Sequence, residues 1–190
     1  MTYDGKPLDT TKHTYNQAFT IYALASYYLL THKREVLDTA FSIFHLIEEK
    51  CRDEEGYLEA FTYDWQSESN EKLSENGVLA DKTMNTLLHV FEGYSNLYRC
   101  GWDNQVAKAM RFCLDIYANK VYDPALQRQK VFFDAHYNSI IDLYSYGHDI
   151  ESSWLIDWGT RLLGDKPLTA KIGAINTEMA KAIYETAYHE

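Results

Sequence analysis

The chain has 190 residues, 46% of them hydrophobic, and a formal net charge of −10. That length and apolar content suit one substantial core and exclude a disordered chain. The acidic balance excludes a nucleic-acid surface, which needs a basic face to meet phosphates. The longest apolar run, Ala18 to Leu30, is broken by Thr20 and Ser26 and is too short to cross a bilayer, so no membrane partner is expected. No charged-then-apolar leader opens the chain, which predicts a cytoplasmic protein.

Tyrosine is over-used, at 16 residues against 8 Phe and 4 Trp. Its apolar face and polar tip suit cores, interfaces and sugar clefts alike, with packing the first use. Cys51, Cys100 and Cys113 form an odd set without metal-ligand spacing and predict reduced, buried thiols.

The elements follow in chain order. Met1 to His13 is polar and reads as loop, and Thr14 is placed to cap a helix over Tyr15–Leu30. A second helix over Lys33–Lys50 carries Val36, Leu37, Ala40, Phe41, Phe44 and Ile47 on a 3.6-residue period. Gly56–Tyr63 alternates and suits a strand, and Asp64–Ala80 is a long polar loop. Asp81 is placed to cap a third helix that ends at Tyr98, before Gly101. A fourth spans Asn104–Tyr117. Val131–Phe133 is a second strand candidate. A fifth helix opens around His148 and ends at Gly164 and Pro167, and Thr169–Tyr188 makes a sixth.

These are three helix pairs with a recurring order. Thr2-Tyr3-Asp4, Thr62-Tyr63-Asp64 and Phe132-Phe133-Asp134 each precede a loop that delivers the first helix of a pair, at a period of roughly 66 residues. Pairs joined through strand-bearing loops predict an all-α fold, an α/α toroid with the odd helices lining its inside. The first and last copies are incomplete, so residues 1–190 are expected to form a single domain, part of a larger ring. A self-contained six-helix bundle is the plainer alternative.

Chemistry concentrates on the odd helices. Asn85, His89 and Glu92 fall at i, i+4 and i+7, hence on one stripe opposite Met84, Leu88 and Phe91. His148 and Glu151 are three apart and share a helix face. Tyr15 lies at the start of the first helix. The set suits proton transfer: histidine works as a base near neutrality. Glu151 beside it would orient the ring, and a second histidine can donate to an oxygen on which charge develops. A nucleophile elbow, phosphate loop and nucleotide fingerprint are all absent. His89, His148, Asp149 and Glu151 could ligate a metal, but neither His-x-x-x-His nor His-Glu-x-x-His occurs, so none is expected. His13, His32, His45, His136 and His189 read as structural or surface residues.

Asp81-Lys82-Thr83-Met84-Asn85-Thr86-Leu87-Leu88-His89 and Ser145-Tyr146-Gly147-His148-Asp149-Ile150-Glu151-Ser152-Ser153-Trp154-Leu155 closely resemble signature stretches of the N-acylglucosamine 2-epimerase family, in its cellobiose 2-epimerase branch. Lys12-His13-Thr14-Tyr15-Asn16-Gln17-Ala18-Phe19 resembles a third, and the likeness runs along essentially all 190 residues. The resemblance implies an (α/α)6 barrel and cofactor-free epimerisation at C2 of a reducing-end sugar, on a disaccharide substrate, through a cis-enediolate. It implies that His148 is an acid/base histidine with Glu151 as neighbour, that His89 contacts the carbonyl-end oxygens and assists ring opening, and that Asn85 and Tyr15 bind sugar.

The family's chain is about twice this length. Its substrate-binding arginine, paired tryptophans and second acid/base histidine have no counterpart here. An incomplete barrel with amino- and carboxy-terminal parts missing, inactive alone and exposing lateral apolar faces, is the expectation. Two other functions compete. A glycoside hydrolase on the same toroid would need a carboxylate pair, with Glu59 and Asp64 as candidates. A non-catalytic sugar-binding module would keep the tyrosine-rich cleft without turnover.

Overall fold

The computed structural model describes residues 2–69 and 77–188. His189 and the middle of the predicted Asp64–Ala80 loop lie outside the described residues. Six helices run as α1 (Thr14–Thr31), α2 (Arg34–Leu46), α3 (Met84–Tyr98), α4 (Asn104–Ile116), α5 (Tyr146–Leu162) and α6 (Lys166–Ala187). The strands are two residues each: β1 (Lys12–His13), β2 (Ala60–Phe61), β3 (Lys82–Thr83), β4 (Tyr122–Asp123), β5 (Arg128–Gln129) and β6 (Phe132–Phe133). They pair antiparallel as β1–β2, β3–β6 and β4–β5.

α3 is the hub. α1 and α5 pack on it, and α2, α4 and α6 pack against α1, α3 and α5 respectively. Twelve of the 15 residues of α3 are buried, against four of 18 in α1 and seven of 17 in α5, which is the signature of a central element between two flanking ones. A Cβ on Gly93 would lie 2.6 Å from the carbonyl oxygen of Ala18, so α1 and α3 meet backbone against side-chain-free backbone. The arrangement is an arc of three helix pairs with the odd helices adjacent, as the periodicity predicts.

The repeat is tighter than its letters suggest. β1, α1, α2 and a π turn at Ile47–Cys51 recur as β3, α3, α4 and a π turn at Tyr117–Val121, each starting 70 residues later. From Met84 to Tyr146 the step is 62, so a uniform period is replaced by two unequal steps. The third triplet, Phe132-Phe133-Asp134, is two residues out of register. The turn begins instead at Thr2, Thr62 and Asp134, whose N–H groups donate to the carbonyls of Lys6, Gln66 and Asn138. Its fourth residue has positive φ each time: Gly5 (81°), Trp65 (66°) and Tyr137 (61°). Two such non-glycine residues, costly in this region, are held by packing: Trp65 on Phe61 and Tyr137 on Phe133. A lysine closes the second and third of these turns. Lys12 donates to the Thr62 and Tyr63 carbonyls. Lys82, fully buried, donates to the Ala135 carbonyl at 2.6 Å and pairs with Asp53 at 2.7 Å.

Three boundaries differ from the sequence reading. Thr14 does not cap α1; it is the first helical residue, and its hydroxyl donates to the Leu58 carbonyl. Asp81 does not cap α3, because β3 intervenes; Thr83 does, accepting the Thr86 N–H at 3.0 Å. Pro167 opens α6 rather than ending α5, lying in the first turn where its missing N–H costs nothing.

Candidate active site

Counted from the residue that precedes each odd helix (His13, Thr83 and Ser145), the candidate side chains fall at matching places. Tyr15 and Asn85 are both second after it. Phe19, His89 and Glu151 are all sixth. His89 and Glu151 thus present from one level of the arc, with Phe19 completing the row. His148 is third after Ser145, on the first turn of α5.

Around α1 and α3 the contacts are continuous. The His13 ring stacks on Tyr15 at 5.6 Å between centroids, Tyr15 meets Phe19 edge-on at 6.2 Å, and Phe19 lies 4.5 Å from the His89 ring. His89 Nδ1 is 3.0 Å from a carboxylate oxygen of Glu92, one turn on. That bond fixes the ring and leaves Nε2 as its second nitrogen for exchange with a ligand. His89 is buried and Phe19, at 41% exposure, is open, so the imidazole lies beneath an accessible aromatic edge.

His148 has a different partner from the one its spacing suggests. Its Nδ1 bonds the hydroxyl of Ser145 at 2.9 Å rather than the Glu151 carboxylate. The reason is local: Ser145 precedes the helix, and its hydroxyl also receives the His148 N–H at 3.4 Å. Whichever way the proton lies on the Nδ1 bond, Nε2 is the remaining nitrogen. Asp149 turns away into the protein. It is 1% exposed and accepts the Gln129 N–H at 3.1 Å and the Gln129 amide at 3.0 Å. Burial raises its pKa. Among the described residues no group of three His, Cys, Asp or Glu side chains is arranged to hold a metal.

One residue beside the site has partners that the sequence does not announce. Glu59 is 2% exposed and its two carboxylate oxygens accept the hydroxyls of Thr83 and Thr86, both at 2.9 Å, at the start of α3. Burial pushes its pKa up to about 7, against the lowering effect of those hydroxyls. Its backbone carbonyl accepts the Thr14 N–H at the start of α1. Glu92 is visible from its i+3 spacing to His89; Glu59 is not, because nothing local announces its partners. Asp64, by contrast, lies on an exposed turn and accepts the Thr62 hydroxyl at 2.6 Å. The open clefts among the described residues include one bounded by Asp123, Arg128 and Asp142 and another along α6, neither lined by His89 or His148.

No family model matches the chain. Among curated proteins, the cellobiose 2-epimerase of Eubacterium cellulosolvens is 44% identical over 202 residues, covering 98% of this chain and 50% of the relative. That of Ruminococcus albus is 44% identical over 190 residues, covering 100% and 49%. Among solved structures, a sugar epimerase from a ruminal bacterium superposes with a TM-score of 0.97 at 43% identity, over 100% of this chain and 49% of the other. The cellobiose 2-epimerase of Bacillus thermoamylovorans B4167 gives 0.94 at 44%, with the same coverage. A D-mannose isomerase, 16% identical with a TM-score of 0.78, shares the fold. The chain spans about half the length of the curated relatives it matches, and its three helix pairs are part of an (α/α)6 toroid.

Proposed function

This chain is a homologue of the cellobiose 2-epimerases, and on that premise we propose that it carries one side of a sugar 2-epimerase active site. The supporting observation is identity of 40–44% to those enzymes along the whole chain, with both histidine-bearing helices adjacent in the arc. The proposed substrate is the reducing-end glucose of cellobiose or a related β-linked disaccharide, and the product its mannose epimer. His148, through Nε2, exchanges the C2 proton. His89, steadied by Glu92, stabilises the oxygens of the cis-enediolate and assists ring opening. Asn85 and Tyr15 hold hydroxyls, and Glu151, at the level of His89, is a further carboxylate facing the sugar. No cofactor is required by this chemistry. A cytoplasmic setting belongs to the same proposal, supported by three unpaired thiols.

The 190-residue polypeptide supplies one exchanging imidazole, whereas epimerisation needs a proton taken from one side of C2 and returned on the other. Assayed alone on cellobiose, it is expected to show little or no turnover; turnover at the rate of the full-length relatives refutes the assignment of sides. The positive test is a chimera in which this chain replaces the matching half of the Eubacterium cellulosolvens relative. Mannose formation and deuterium uptake at C2 in D2O are expected, and His148→Ala should reduce both by roughly 100-fold or more. A chimera that binds sugar without exchange at C2 would instead favour the binding module. Weighing against the hydrolase reading, both Glu59 oxygens accept threonine hydroxyls in a buried site.

A further inference from the structure

The first turn of an α-helix has no internal partners for its N–H groups, so the place of His148 depends on what grips α5 from outside. Ser145 grips one side through its hydroxyl. Gln129, the second residue of β5, grips another. Its backbone N–H and its side-chain amide both donate to Oδ1 of Asp149, at 3.1 and 3.0 Å. The same amide reaches the Ser152 hydroxyl at 3.0 Å and the carbonyl of His148 itself at 3.4 Å. Gln129, Asp149 and Ser152 are all buried, where a hydrogen bond is stronger than in water and a lost one strands a polar group.

Gln129 is held from behind in its turn. It lies opposite Tyr122 in the β4–β5 pair, and the Lys130 N–H donates to the Val121 carbonyl at 2.9 Å, at the end of the second π turn. The outer helix of one pair thus reaches the inner helix of the next through Gln129. The start of α3 uses the same device with its polarity reversed. There the Glu59 carboxylate lies outside the helix and two threonines at the helix start donate to it. In α5 the carboxylate is on the helix and the donors come from the strand.

We propose that Gln129 and Asp149 are positioning residues for His148: the amide of one, seated on the carboxylate of the other, sets where the imidazole stands. The inference rests on the reading of His148 as the residue that exchanges the C2 proton.

In the chimera, Gln129→Met, which keeps the bulk but not the amide, and Asp149→Leu should each lower kcat for mannose formation roughly 10- to 100-fold with KM little changed, the cost of a base about an ångström out of place. Asp149→Asn keeps an oxygen for both Gln129 donors. Because Oδ2 of Asp149 has no hydrogen-bond partner among the described residues, an amide nitrogen there breaks no bond, and this variant should recover most of the loss. In the 190-residue chain the position is read without turnover. The His148 ring, with Nδ1 2.9 Å from the Ser145 hydroxyl, should give a nuclear Overhauser contact with Ser145 that weakens in Gln129→Met and Asp149→Leu and persists in Asp149→Asn. The contact between the Phe19 and His89 rings, 4.5 Å apart, should persist in all three, which separates a local shift from general loosening. A chimera without exchange at C2 refutes the chemistry of His148, and the ring contacts still decide its positioning. An unaltered kcat for Gln129→Met and Asp149→Leu in an active chimera, a loss in Asp149→Asn as large as in Asp149→Leu, or a His148–Ser145 contact indifferent to all three overturns the proposal.

Discussion

Glu59 ties three chain segments together. Its backbone carbonyl receives the start of α1, its N–H donates to the Asp81 carbonyl, and its carboxylate receives two threonines of the α3 start. Its pH behaviour follows from burial. Below about 4.5, its ordinary value, the carboxyl is protonated whether the chain is folded or not. Between there and about 7 the folded protein keeps a proton that the unfolded chain has released, so stability falls as pH rises through that window and levels above it. Glu59→Gln, whose amide can serve both hydroxyls, should remove this decline, worth at most about 3 kcal/mol. Urea midpoints for both proteins across that window check it; parallel curves would mean that Glu59 does not titrate there. Helical spacing alone makes two shared faces legible, Asn85, His89 and Glu92 on α3 and His148 with Glu151 on α5, whereas Tyr15 and the roles proposed for the candidate set come from the resemblance. Glu59 is not legible, because its partners lie 24 and 27 residues away and are uncharged. The Ser145 bond to His148 is missed for a related reason: a carboxylate at i+3 draws attention from a hydroxyl at i−3.

At the scale of elements, the α1–α3 junction depends on a missing side chain. Gly93→Ala sets a methyl against the Ala18 carbonyl, which is backbone and cannot rotate aside. A loss of about 1–3 kcal/mol is expected, typical of overpacking. Ala23→Gly, at the matching but exposed place on α1, should cost no more than about 1 kcal/mol, the price of glycine in a helix. Equal losses, read from denaturant unfolding, would place the constraint in helix propensity rather than in the junction. All six helices are legible from apolar period and punctuation. The strands are not: two residues carry no alternation, so Gly56–Tyr63 contracts to Ala60–Phe61 while β1, β3 and the β4–β5 pair go unread. The true repeat of the turn escapes a reading by letters, because it is written in backbone angles, and Gly5, Trp65 and Tyr137 do not resemble each other enough to announce it.

For the molecule as a whole, serial packing on one hub predicts graded protection. Amides of α3 should exchange slowest, and those of α6, with three buried residues, should exchange fast despite its 22-residue length. Hydrogen-exchange mass spectrometry of the 190-residue chain reads this directly, and uniform protection across the helices would show that the three pairs unfold as one.

The unequal steps of 70 and 62 residues have a consequence for how such a protein diversifies. The start of each element from β1 to the first π turn keeps a constant offset from its counterpart in the next pair, so the excess is taken up in the connectors that run from each sealed turn to the next inner helix. Insertions and deletions can therefore accumulate around the mouth while the wall keeps its register. Descendants of one ancestral unit could thus come to admit differently sized guests without rebuilding the barrel that holds them.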